Sequence, residues 1–202
     1  MNYTTIEDKL FTYSVEINKS KFIGNACRIE SVEQSQEFIK QIGKKYYDAN
    51  HNTYAYVCGQ YSKYSDDGEP QGTAGLPILD CLKKSGLNNV CVVVTRYFGG
   101  IKLGAGGLIR AYSGTASGVL ASAEKVEFVD CVRAKTILNY DNYQIVNARL
   151  QNLCKIQLDY SQGVEANLII KKQDVSQVEA VLAELTSGKS SLTVVCEVTY
   201  NY

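Results

Sequence analysis

The chain has 202 residues, a formal net charge of zero and 45% apolar residues. That is enough for a sizeable core in one domain or two small ones, and the balanced charge excludes a histone-like polybasic binder. No run approaches the ~18 apolar residues of a membrane span and the first residues lack a basic-then-apolar signal pattern, so a cytoplasmic location without membrane contact is expected.

Residues 11–17 and 22–29 read as the strands of a hairpin joined at Asn18-Lys19-Ser20. Ser31 is placed as an N-cap with Gln34 as its capping-box partner. Phe38, Ile39 and Ile42 then recur at helical spacing, and Gly43 ends or frays that helix. Residues 53–59 alternate as a strand, and residues 60–71 are polar and acidic, a loop. Thr73 caps a helix through Lys84, with Pro77 tolerated in its first turn. Asn88-Asn89 opens an apolar run, Val90-Cys91-Val92-Val93-Val94, that reads as a buried strand. A glycine-rich turn follows and leads into a helix of small residues. Gly104, Gly107, Ala111, Gly114, Gly118 and Ala121 fall three or four apart, one helix face with almost no side chain. Glycine costs ~1 kcal/mol relative to alanine in a helix interior, so this face predicts close approach of a sheet or second helix.

Residues 126–132 are expected to close this unit as a strand. From Ala134 a second pattern begins: a strand at 136–140, a helix at 142–152, strands at 156–160 and 166–170 around Ser161-Gln162-Gly163, an amphipathic helix at 175–185 and a strand at 192–199. The order βαββαβ is a ferredoxin-like split unit. The expected fold class is therefore α+β, with domains 1–133 and 134–202. The seven cysteines are odd in number, have no C-x-x-C pair and accompany one histidine. Reduced, buried, space-filling thiols are expected, with no metal and no cofactor.

The glycine turn carries the most chemistry. From Cys81 to Ala123 there are five basic residues, Lys83, Lys84, Arg96, Lys102 and Arg110, and no acidic one. Free N–H groups at a helix start, together with fixed cations, suit an anion such as phosphate. The candidate phosphate-binding residues are Arg96, Gly99, Gly100, Lys102, Gly104 and Arg110. The turn is not a P-loop, because Ala105-Gly106 stands where Lys-Ser/Thr is needed. It is not a dinucleotide fingerprint either, because Ile109 replaces the last glycine. A general anion site and a solvated basic face both remain open, and Gly104, Gly106 and Gly107 serve either packing or a ligand.

Ser65-Asp66-Asp67-Gly68-Glu69-Pro70 packs three carboxylates into four positions. Three readings stay open: oxygen ligands for a divalent cation, a mobile acidic loop, or ionic partners of Arg96 or Arg110 that hold a cleft in shape. His51 is either a proton carrier or a hydrogen-bonded structural or ligand-contacting residue. Tyr54, Tyr56, Tyr97 and Tyr112 lie near these motifs, as base-stacking rings or as core.

Four stretches carry a resemblance: Ser20-Lys21-Phe22-Ile23-Gly24; Asp48-Ala49-Asn50-His51-Asn52 with Ala55-Tyr56; SDDGEPQGTAG from Ser65 to Gly75; and VVTRYFGGIKLGAGGLIRAY from Val93 to Tyr112. Together they are similar to the YigZ/IMPACT family, in its bacterial two-domain branch. The resemblance implies an N-terminal domain with the β-α fold of ribosomal-protein and translation-factor domains, a two-layer sheet with helices. It also implies a ferredoxin-like C-terminal domain similar to the last domain of elongation factor G. Eukaryotic relatives carry an added N-terminal module and restrain a translation-control kinase by competing for its activator, a mechanism not expected of this chain. Carried over by position, the shared polar residues are His51, Asp66, Asp67, Glu69, Thr73, Arg96, Lys102 and Arg110.

The expected function is binding of RNA or another phosphate-bearing partner, at the ribosome, in translation or stress regulation, through a cleft between the Arg96–Arg110 element and the Asp66–Thr73 loop. No catalytic residue is assigned. One alternative is a hydrolase acting on a small phosphorylated or acyl substrate, with Glu69 or Asp66 as base or metal ligand and His51 as proton carrier. Another is an adaptor whose residues 134–202 dock on a protein.

Overall fold

A computed structural model describes residues 2–160 and 163–201. The chain divides into two compact units, Tyr3–Glu127 and Phe128–Tyr202 with Met1–Asn2. The fold is α+β, with two antiparallel sheets and helices packed on them.

The first unit opens with β1 (Tyr3–Ile6), then the hairpin of β2 (Phe11–Ile17) and β3 (Ser20–Arg28). Asn18 and Lys19 both have positive φ, +48° and +63°, the conformation that matches a two-residue turn to the twist of its strands. Helix α1 (Val32–Lys45) starts where predicted: the Ser31 hydroxyl accepts the Gln34 N–H at 3.2 Å. The Gln34 side chain reaches back one residue further than a capping box requires, accepting the Glu30 N–H at 2.6 Å. Gly43 has open space around it and does not end the helix. Strands β4 (His51–Cys58) and β5 (Tyr61–Ser65) form a second hairpin, and α2 (Gly75–Ser85), β6 (Val90–Tyr97) and α3 (Gly104–Ala121) complete the unit. The residues of β5 fall in the segment expected to be loop. This strand pairs with β4 alone and its residues are almost all exposed, so it carries no apolar alternation to detect.

The sheet order is β2-β3-β6-β4-β5. Central β6 is buried on both faces from Val90 to Arg96, which is why it reads as a continuous apolar run. Val90, Val92 and Val94 pack with Phe22, Ala26 and Ala55 against Ile78 and Leu82 of α2 and Leu108, Ala111, Tyr112, Ala116 and Val119 of α3. Cys91 and Val93 point the other way, to Phe38 and Ile42 of α1. Alternation therefore sends Arg96 out on the α2/α3 side, at the end of the most buried strand.

The small-residue stripe of α3 is not one tight seam. A Cβ on Gly118 would meet the Tyr13 ring at 2.5 Å, whereas Gly114 has nothing within 4 Å. Gly24 of β3 also lies close under α3, where a Cβ would meet Thr115 at 3.1 Å and Val119 at 3.3 Å. Gly99 sits against the Lys19 carbonyl, where no side chain fits.

The second unit carries β7 (Lys125–Leu138), α4 (Tyr143–Leu150), β8 (Lys155–Asp159), β9 (Val164–Lys171), α5 (Val175–Thr186) and β10 (Thr193–Asn201), with a 3-10 turn at Lys172–Asp174. Its strands lie in the order β10-β7-β9-β8, so the last strand pairs beside the first. Val132, Ala134, Leu168 and Ile170 form its core with Val146, Leu150, Val178 and Leu182. The two strands expected at 126–132 and 136–140 are one continuous strand, because Arg133 and Lys135 point outward while Val132, Ala134 and Thr136 stay buried. Of the turn expected at 161–163, Ser161 and Gln162 lie outside the described residues. All seven cysteines are free; Cys58, Cys91, Cys131 and Cys154 are buried as expected, but Cys196 is exposed on β10, where an apolar run faces outward. Among the described residues no helix is long and apolar enough to cross a membrane.

Gly114→Ala should raise stability by about 0.5–1 kcal/mol, since the helix gains propensity at no steric cost. Gly99→Ala should lower it by about 1–3 kcal/mol through a clash with backbone. Urea denaturation of the two variants checks the contrast.

Candidate functional site

The antiparallel registers assemble the site. Arg96 of β6 stands directly opposite Phe22 of β3 and His51 of β4, and residues opposite one another share a sheet face. Arg96 is 5% exposed and Glu69 8%, so a full ion pair is buried. Arg96 Nη1 donates to Glu69 Oε1 at 2.6 Å. Its Nη2 donates to Ser20 Oγ at 3.4 Å, and its guanidinium lies over the rings of Phe22 and Phe98 at 5.5 and 5.3 Å. Its Nε is buried with no hydrogen-bond partner among the described residues.

Glu69 Oε1 also accepts the Tyr112 O–H at 2.7 Å. Tyr112 is fully buried, two turns into α3, and packs edge-on against Phe22 with ring centroids 5.3 Å apart. Burial above all, and then the hydrogen bond to Glu69, push its phenol well above the ordinary tyrosine range. It remains a neutral donor. One carboxylate thus ties the acidic loop to β6 and α3.

The other two carboxylates of the loop do different work. Asp66 Oδ1 accepts the N–H groups of Ala74 and Gly75 at 3.1 and 2.8 Å, and Oδ2 accepts that of Gly72 at 2.8 Å. Asp66 therefore caps α2 from outside the helix. Thr73, expected in that role, instead donates its hydroxyl to the Pro70 carbonyl at 2.6 Å, and the Ala74 cap position makes no side-chain hydrogen bond. Asp67 Oδ2 accepts the Asn52 N–H at 2.6 Å, and its backbone carbonyl receives His51 Nδ1 at 2.7 Å.

His51, Glu69, Arg96, Lys102 and Gly104 line one cavity of about 450 Å³, with Asn50, Phe98 and Leu108 among the rest of its wall. Lys102 is exposed at its edge, and Gly104 begins the 18-residue helix α3. Gly100 and Gly104 both have positive φ. The Gly99 N–H is taken by Ser20 Oγ at 3.2 Å. Arg110 is not among the lining residues; it is exposed and folds back over Gly106 of its own helix. Of the three cations singled out in the sequence, two reach the cavity, and Arg96 arrives already neutralised. Sequence reasoning misses Ser20, Asn50 and Phe98, whose one signal is their place in the motifs that carry the resemblance. A larger hollow of about 590 Å³ on the second unit's sheet is lined by Arg133, Lys135, Lys155 and Tyr200, but it has no buried polar side chain and no ion pair as enclosed as Arg96–Glu69.

The Impact N-terminal domain family matches residues 18–120, a span that contains every residue of the cavity. The chain is similar to the IMPACT family member YvyE of Bacillus subtilis, 41% identical over 186 residues, covering 89% of this chain and 85% of that protein. The chain belongs to the IMPACT family. Its family relative YigZ of Escherichia coli is 33% identical over 190 residues, covering 90% of this chain and 93% of the relative. A crystal structure of a hypothetical protein, 31% identical, superposes with a TM-score of 0.64 over 96% of this chain and 98% of that one. In this IMPACT-family chain the quoted motifs are the segments that build the cavity.

Removing one member of the buried pair strands the other. Glu69→Ala should cost about 3–5 kcal/mol, whereas Glu69→Leu combined with Arg96→Met should recover most of that loss. Asp66→Ala should cost about 1–2 kcal/mol as a lost cap. Equilibrium unfolding in urea measures all three.

Proposed function

We propose that this protein binds RNA by seating a backbone phosphate where α3 begins, with Lys102 as its cation. One observation carries the reading: Lys102 and the first turn of α3 line the same cavity as His51 and the Arg96–Glu69 pair. The first four N–H groups of a helix have no intrahelical acceptor, and its N-terminus bears roughly half a positive charge. Phosphates bind at such ends. The cavity's volume falls within the range of ordinary ligand sites.

Arg96 serves this reading as a buried scaffold, since Glu69 offsets its charge. Arg110 is a weak contributor because it is outside the cavity wall. The phosphate contacts thus fall to Lys102 and to the N–H groups at the start of α3. An RNA partner agrees with a role at the ribosome, in translation or stress regulation, and with a cytoplasmic location. The hydrolase alternative asks Asp66 or Glu69 to act as base or metal ligand. Asp66 is occupied by three N–H groups, and Glu69 by Arg96 and Tyr112, so the binding reading is preferred.

Binding of a labelled single-stranded RNA, followed by fluorescence anisotropy over a salt series, tests this. Lys102→Ala should weaken binding several-fold and reduce the slope of log affinity against log salt by about 0.7, one phosphate contact on a single strand. Arg110→Ala should change both less. Identical slopes for wild type and Lys102→Ala overturn the proposal.

A further inference from the structure

The sheet of the second unit has a face that α4 and α5 do not cover. Both helices pack on one side, against Val132, Ala134, Leu168 and Ile170. Strand alternation sends the neighbours of those residues to the other side, and the antiparallel registers fix which side chains share it. Cys196, Arg133, Ile169 and Lys155 stand in one row across all four strands. Thr193, Lys135, Asn167 and Gln157 form the next row. Arg133, Lys135, Lys155, Gln157 and Cys196 are exposed.

The hollow of about 590 Å³ on this face is lined by three cations, Arg133, Lys135 and Lys155, and by no acidic residue. Arg133 has no hydrogen-bond or ion-pair partner among the described residues. Lys135 pairs with Glu165 at 2.7 Å, with both side chains nearly half exposed, and such surface pairs are worth little. Lys155 donates to the Asn201 carbonyl at 3.4 Å, with its ammonium 4.7 Å from the centre of the Tyr200 ring. Gln157 and Asn167 stand opposite each other, and each side-chain amide offers both donors and an acceptor.

Cations, an aromatic ring and neutral amides on an open four-stranded sheet suit a single strand of nucleic acid. Its phosphates go to the cations, a base stacks on the ring and base edges meet the amides. We infer that this face is a second contact surface for single-stranded RNA, built from other residues than the Lys102 cavity and independent of the phosphate seat at α3. An acidic protein fits less well. Ile137, Glu165 and Asp159 form the next row, about 7 Å further along the strands, so a broad anionic surface would meet two carboxylates. A single strand is narrow enough to run across the two cationic rows.

Cys196 is a probe present in the native chain, since it is exposed and directly opposite Arg133. Single-stranded RNA should slow maleimide labelling of Cys196 in the full chain several-fold, read by mass spectrometry, and polyglutamate of matched charge should not. This arm needs no substitution, so the test stands even where a variant fails to fold. Arg133→Ala combined with Lys135→Ala should remove most of the protection. It should also reduce the slope of log affinity against log salt by about 1.4, two phosphate contacts on a single strand. Lys102→Ala should leave the protection in place, so a failure of the α3 reading leaves this surface standing. Unchanged labelling of Cys196 at saturating RNA overturns the inference, as does protection that the double substitution leaves intact. Protection lost with Lys102→Ala alone overturns the second surface, and equal protection by polyglutamate overturns its assignment to nucleic acid.

Discussion

The buried Arg96–Glu69 pair is the constraint around which the first unit is arranged. Taking a guanidinium out of water costs several kcal/mol unless a carboxylate and further hydrogen bonds surround it. Glu69 and Ser20 provide those bonds, and the Phe22 and Phe98 rings cover the planar faces of the guanidinium. Tyr112 adds a second donor to the same carboxylate oxygen. The acidic loop, the end of β6 and the third turn of α3 are thus held together by one side chain. The cavity is what this arrangement leaves open beside it.

Its electrostatics follow from how three adjacent carboxylates are used. Asp66 faces inward to cap α2, the Asp67 carboxylate clamps the start of β4 while its backbone carbonyl meets His51 Nδ1, and Glu69 balances Arg96. The positive groups left at the cavity are Lys102 and the start of α3, which is a smaller charge than three basic residues in the sequence suggest. A modest local potential is consistent with a chain of zero formal charge.

Much of the fold was legible because its signals are local. The Asn18-Lys19 turn, the Ser31 cap, the apolar run of β6 and the βαββαβ order of the second unit each depend on residues within a few positions of one another. The misses share a cause as well. β5 is a strand only because β4 offers it a pairing edge, so its exposed residues carry no pattern. Thr73 looks like the α2 cap because it is adjacent, whereas Asp66 reaches the same N–H groups across a turn. β7 reads as two strands because a change of pattern near Arg133 resembles a boundary, although strand alternation runs through it.

The amino-acid sequence by itself determined the family, the α+β class and which motifs matter, since these depend on residue identity and short-range periodicity. It also brought His51, Glu69, Arg96 and Lys102 forward as candidates. Only the tertiary structure decided their surroundings: that Arg96 is buried and paired with Glu69, that Lys102 is exposed at the cavity, that Arg110 lies outside its lining, and that His51 Nδ1 meets the Asp67 carbonyl. Those outcomes depend on strand register and on contacts between residues tens of positions apart. Spacing in the sequence does not encode such contacts, because a side chain's charge is effective only where burial and its neighbours leave it free.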